Sequence, residues 1–313
     1  MRHSLEPAAG ARSAPPQGMA RRTKGLLVRA IPWPRTGSRS HSNAAPADAG
    51  IVRRHRLSTR IWHWTNAVLF IVLLMSGLMI FNAHPRLYFG QYGANPDPAW
   101  LEIGSDGQHG FLRVGDFTLD TTGVLGLWKD RDGQWEQDAF PYWATIPSTY
   151  NLALARRSHL TFAWLFAGAT LLYVIWSLVN GHLRRDLAPT RAELKPRHIL
   201  HDIRQHATLN FPKGEAARRY NTLQKLAYLT LLCVLIPMMI LAGLTMSPAM
   251  DAAWPWLLDL FGGRQSARSI HFITACLLVL FVLVHLAMVV LAGPINEIRS
   301  MITGRYRLPK ETP

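Results

Sequence analysis

The stretch Ile270–Ala292, IHFITACLLVLFVLVHLAMVVLA, decides how the rest of the chain is read. It is apolar over about the 20 residues that a helix needs to cross a bilayer. Two histidines interrupt it: His271 at its start and His285 fourteen residues later. At roughly 100° per residue, fourteen steps return a side chain to within about 40° of the same face. At about 1.5 Å per residue the two imidazoles stand roughly 21 Å apart along the axis. One face of one helix thus offers two nitrogen ligands, one near each membrane surface. Two haems stacked across a bilayer need that arrangement. A single intramembrane histidine reads equally well as a hydrogen-bonded neighbour of another helix; the spacing of two is what favours ligation.

Three further windows are apolar over a similar length, so the spans are placed at about 61–82, 160–180, 226–246 and 270–292. The expected fold class is an all-α membrane protein, a four-helix transmembrane bundle. The two cysteines, Cys233 and Cys276, lie inside spans and form neither CxxC nor CxxCH. An iron–sulfur cluster, a zinc site and covalently attached haem are therefore not expected.

The net charge of +15 would suggest nucleic acid if it were spread evenly, but it is not. Lys and Arg outnumber Asp and Glu by 12 to 2 over residues 1–60, by 10 to 4 over 181–225 and by 4 to 2 over 293–313. The segment 82–157 is reversed, 6 against 9, and 247–269 is balanced, 2 against 2. By the positive-inside rule both termini and the second loop are cytoplasmic, and loops one and three extracytoplasmic. The charge records topology, and no nucleic-acid partner is expected.

Residues 1–50 read as a disordered basic extension with no apolar signal region. A transit peptide and a true start at Met19 are alternatives. Residues 51–308 form the expected four-span domain and 309–313 a tail. Ser58 or Thr59 offers a cap for span one, and His63 follows between Trp62 and Trp64. Gly77 shares the His63 stripe fourteen residues on, where it would admit either a flat macrocycle or a close helix. Loop 83–157, rich in Gly, Asp and Trp, is expected to form a small extracytoplasmic subdomain of short strands, with His84 and His109 solvated. HILHDIRQH, 198–206, reads as an amphipathic helix more than a metal site. Pro237 is expected to kink span three. Trp254, Trp256 and Phe261 suit a short interfacial helix.

Sorted by depth, His159 and His271 lie at the outer side and His63 and His285 at the inner side. The consistent pairing joins spans two and four for an outer haem and spans one and four for an inner one. Six-coordinate iron of this kind carries electrons and has no open position for oxygen. Arg156, Arg157, Arg264 and Arg268 flank the outer pair, where they fit haem propionates or lipid headgroups alike.

These residues carry a resemblance. Histidines in spans one and two, and two fourteen apart in span four, resemble the b-type cytochrome subunits of nickel hydrogenases and formate dehydrogenase within the cytochrome b561 superfamily. GLMIFNAHPRLYFG, YNTLQKLAYL, AGLTMSPAMDAAWPWLLDLFGGRQSARSIHFI and GPINEIRSMITGRY resemble its thiosulfate-reductase-like branch. The resemblance covers about 52–308. It implies two b-type haems on His63, His159, His271 and His285, in the bacterial inner membrane. It also implies exchange of electrons between quinone and a peripheral, extracytoplasmic enzyme, often a molybdopterin oxidoreductase. Arg60 and Asn66, beside His63, are candidate quinone contacts. A haem-free anchor or transporter and a stand-alone ferric reductase are the competing readings.

Overall fold

The computed structural model describes residues 50–208 and 221–307. The tail, and all of the N-terminal extension but Gly50, lie outside these residues. The described chain is mostly helical. Four helices are long and apolar enough to cross a membrane: span I (Leu57–Asn82), span II (Leu152–Val179), span III (Thr222–Thr245) and span IV (Arg264–Ala292). Only 6% of the apolar window of span IV is buried inside the protein, so most of its leucines and valines face outward. That suits a hydrocarbon surround, where backbone groups must be satisfied within each helix.

Local chemistry sets the ends. Span I starts at Leu57, so Ser58 and Thr59 lie within its first turn and do not cap it; the cap position belongs to Arg56, without a side-chain bond. Span II starts eight residues before the expected 160, because Asn151 Oδ1 accepts the Leu154 N–H at 2.9 Å. Arg156 and Arg157 thus ride on the helix, their long stems carrying the charge outward. Span III opens on a capping box between Asn221 and Gln224. A π-helical turn, Leu231–Leu235, lies just ahead of Pro237. Proline has no N–H to donate and crowds the preceding turn, and a widened turn is a common way for a helix to absorb that.

At one end of the bundle the chain ends meet. β1 (Ile51–Arg53) pairs antiparallel with a strand at Arg305–Arg307. Arg54 bonds Glu297 at 3.1 Å and lies 4.4 Å over the Tyr306 ring. Arg60 Nε and Trp64 Nε1 both donate to the Met301 carbonyl at 3.3 Å. His55 is buried here, and burial, then Arg54, His63 and Arg60, lower its pKa to about 4. A folded value below the usual 6.5 means that the unfolded chain takes up the extra proton first. Stability is complete above pH 6.5 and is lost as pH falls toward 4, by up to about 3 kcal/mol. His55→Gln is expected to flatten the thermal-stability profile between pH 6.5 and 4.5; an unchanged slope counts against this assignment.

The opposite end carries a sheet. β2 (Arg86–Leu87), β3 (Leu101–Ser105), β4 (Gly110–Val114) and β5 (Phe117–Asp120) form an antiparallel meander, and β6 (Trp128–Lys129) pairs with β7 (Trp135–Glu136). Leu87, Leu101, Ile103 and Ala139 pack on Phe81 and Phe272, at the ends of spans I and IV. Polar bonds fix the same seam. Trp100 Nε1 donates to Ser269 Oγ at 2.9 Å, and the Asn82 side chain bonds both the N–H and the carbonyl of Phe140. The Gly90 carbonyl accepts the Gln265 and Ser266 N–H groups at 3.1 Å, which are free at the start of span IV. Gly263 permits this approach: its φ is +113°, and a Cβ there would lie 2.5 Å from the Gly90 oxygen. Two short helices, Pro248–Ala253 and Trp256–Phe261, join spans III and IV. Trp254 and Trp256 are exposed there and Phe261 is buried.

Candidate functional site: two histidine pairs on one helix

Span IV meets two different helices through its two histidines. At the sheet end the His159 and His271 ring centroids are 6.2 Å apart at 65°. At the termini end His63 and His285 are also 6.2 Å apart, at 60°. The four side chains expected as ligands therefore come together in two pairs, with the partners inferred from depth. Leu69, Phe166 and Ile236 form a core cluster that draws on spans I, II and III.

Several observations test whether these residues suit iron held between two imidazoles. Two metal–nitrogen bonds of about 2 Å plus two half-rings add to about 6 Å between centroids, which matches both pairs. His271 Nδ1 lies 3.0 Å from the Met239 carbonyl. A carbonyl only accepts, so the proton sits on Nδ1 and Nε2 keeps its lone pair. His159 Nδ1 lies 3.0 Å from Ser76 Oγ, whose own proton goes to the Val72 carbonyl at 2.7 Å. That serine therefore accepts, and His159 has the same tautomer. Fixing the second nitrogen in this way is how ligand histidines are oriented. His63 Nδ1 is buried with no hydrogen-bond partner, and His285 stacks on Phe281. At the sheet-end pair both the ring separation and the donor atoms fit the group; at the termini-end pair the ring separation does.

Glycines make room beside the first pair. A Cβ on Gly77 would stand 3.4 Å from His159 Cε1, and one on Gly243 only 3.2 Å from His271 Cε1. Gly77 thus serves the imidazole of the sheet-end pair. Gly243 and Ser76 were not singled out from sequence. A serine and a glycine within apolar spans are the available signals, since polar and small residues at membrane depth mark contacts. The Met239 carbonyl leaves no such trace.

The flanking residues are placed differently. Arg156 and Arg157 are exposed near the start of span II. Arg264 pairs with Asp251. Arg268 donates to the Arg86 and His84 carbonyls and lies 5.8 Å over Phe81, which ties the first loop to span IV. Arg60 is engaged by Met301, while Asn66 Nδ2 bonds the Trp62 carbonyl at 2.8 Å and leaves Oδ1 buried without a partner. His84 is not solvated as expected. It stacks on Tyr88, its Nε2 is buried, and burial, then Arg268 and Arg86, hold it below the usual histidine range. His109 is exposed beside Asp106.

A family model, prokaryotic cytochrome b561, matches residues 54–304. The chain belongs to that family, and so is a membrane-embedded b-type cytochrome that transfers electrons. Among curated relatives it is similar to the putative protein-methionine-sulfoxide reductase subunit YedZ1 of Azospira oryzae, with 28% identity over 249 residues, 78% of this chain and 93% of the relative.

Proposed function

We propose that the chain is a di-haem cytochrome subunit that carries electrons across the bacterial inner membrane, between quinone and an extracytoplasmic oxidoreductase of the molybdopterin type. The observation that carries this is the two histidine pairs, each at 6.2 Å and each joining span IV to another span. The relative's name, a subunit of a reductase, supports a separate catalytic partner. The sign of loop charge supports the sheet end as the extracytoplasmic side and the strand-paired termini as cytoplasmic.

A b haem held by two imidazoles passes one electron at a time between ferric and ferrous iron and has no open position for oxygen. His159 and His271 would hold one, His63 and His285 the other. The chain's own work is to orient these rings, through Ser76 and the Met239 carbonyl, and to keep water out with the apolar core. Charge crossing most of the bilayer couples to the membrane potential by up to about 2.3 kcal/mol per 100 mV.

The purified full-length protein should give two non-covalent haems per chain in a pyridine-haemochrome assay, with a low-spin spectrum. One haem, or none, overturns the proposal. Ser76 would tune the first pair by accepting the hydrogen bond from His159 Nδ1–H, which makes the imidazole a stronger donor to ferric iron. Ser76→Ala is expected to keep both haems and raise one midpoint potential, by about 60 mV for each tenfold loss of ferric preference. Redox titration showing both potentials unmoved rejects this role.

We propose a quinone site at the termini end. Asn66 Oδ1 is a buried acceptor that suits a quinol hydroxyl. Arg60→Ala and Asn66→Ala should each slow quinol-dependent haem reduction about tenfold, the scale of one buried hydrogen bond to a charged or polar group. Unchanged rates in both variants discard these contacts.

A further inference from the structure

Two amphipathic helices at the termini end have their polarity reversed. The helix Pro196–Ala207 buries Asp202, whose carboxylate accepts the Thr222 N–H at 3.2 Å at the start of span III. Just before it, Glu193 bonds Lys225 of span III at 2.8 Å. The face that carries Pro196, Leu200 and Ile203, three positions within about 60° of one another, is exposed, with Leu200 at 67% and Ile203 at 48%. The helix Pro294–Thr303 follows span IV after a single residue and repeats the pattern. Its Glu297 bonds Arg54 and its Ser300 is fully buried, while Ile295, Ile298 and Ile302 point outward. A helix bathed in water does the opposite.

The flank of the first stripe is basic. Lys195, Arg197 and Arg204 are exposed, and no ion pair holds them among the described residues. Lys195 and Arg197, with Ala192, His198 and His201, line an open cleft of about 340 Å³ beside Leu200. His198 also approaches Asp202, at 3.8 Å.

We propose that these two helices lie in the headgroup layer of the leaflet at the termini end, and that the cleft beside Leu200 binds the phosphate of an anionic phospholipid. Both helices adjoin spans at one end of the bundle, so the same bilayer reaches both. Apolar stripes with basic flanks are what an interfacial helix presents to an anionic surface. Arg197 and Arg204 supply the charge, and Leu200 and Ile203 meet the upper acyl chains.

The test uses the full-length holoprotein with Cys233→Ala and Cys276→Ala and a single environment-sensitive label. Leu200→Cys and, as the opposite-face control, Gln205→Cys carry it. In bilayers containing phosphatidylglycerol, the label at 200 should be quenched by a shallow lipid nitroxide and shielded from iodide, and the label at 205, on the half-buried side toward span III, should escape the lipid quencher. In micelles titrated with phosphatidylglycerol, R197Q with R204Q should move the half-maximal response to roughly 30-fold more lipid, the equivalent of about 1 kcal/mol per basic residue. An unchanged haem spectrum shows that the variant is folded; if it is not, the contrast between 200 and 205 in the unmutated helix still decides. Equal quenching by the lipid nitroxide at the two positions overturns the proposal. So does a response to phosphatidylcholine equal to that with phosphatidylglycerol, a response to inorganic phosphate alone, or shielding that needs an added protein.

Discussion

His271→Ala should leave one of the two haems proposed for the unmutated protein. The haemochrome value is expected to halve, and a redox titration should lose one component while the other keeps its midpoint. The reason lies in geometry. His271 has one imidazole partner, His159, and its Nδ1–H is fixed by Met239. Alanine would remove one of the two imidazoles of that pair and open space beside Gly243, where a Cβ would stand 3.2 Å from His271 Cε1. His159→Ala should produce the same spectrum, and His63→Ala or His285→Ala the complementary one. The sheet end holds itself together through Trp100, Asn82 and Gly90, so losing one haem need not unfold the bundle. Two haems surviving in His271→Ala would falsify the pairing.

Electron transfer to the proposed catalytic partner should fall about 10- to 100-fold when exposed aromatics of the first loop are removed, with the proposed quinol-linked haem reduction preserved. The structure narrows which aromatics these are. Trp128 is buried, with Nε1 donated to the Asp138 carbonyl, and Trp100 is tied to Ser269. Phe117, Trp135 and Trp143 are exposed. Aromatic anchors of an interface are each worth about 1–2 kcal/mol or more. Shortening 95–140 is too blunt a test, because Leu101, Ile103 and Ala139 cover the end of span I. Phe117→Ser, Trp135→Ser and Trp143→Ser together leave that core intact. Stopped-flow oxidation of the reduced cytochrome by its partner gives the rate. Unchanged transfer moves docking to the 247–269 loop.

Much of this was legible in the sequence, for physical reasons that differ by residue. An apolar run of bilayer length has few other uses, so four spans are visible in composition. Depth is also visible, since position along a span is distance along the bilayer normal, and His63, His159, His271 and His285 can be sorted by it. Span II was less legible. Arg156 and Arg157 read as loop, yet a helix end tolerates arginines that reach toward water. His84 read as solvated from its polar neighbours, but Tyr88 and Arg268 close over it, which no local pattern shows. The Ser58 or Thr59 cap failed because Leu57 already lies in the helix. The partners of the imidazole Nδ1 atoms were the least accessible, one being a backbone carbonyl.

Span IV contributes an imidazole to both pairs, and it is the last of the four spans to leave the ribosome. With spans I, II and III already inserted, His63 and His159 each face an incomplete position. The gap beside Gly243 and the apolar core are then open to lipid or to a neighbouring helix. Neither pair exists until span IV has been made, so on the proposed reading haem capture waits for that span. A chain stopped before Ile270 would be a bundle of three helices with two solitary imidazoles, easily told from a finished one by its lack of colour. Placing one imidazole of each pair on span IV would make pigment a report on progress along the chain: a molecule holding haem between two of these imidazoles has been read at least as far as His271.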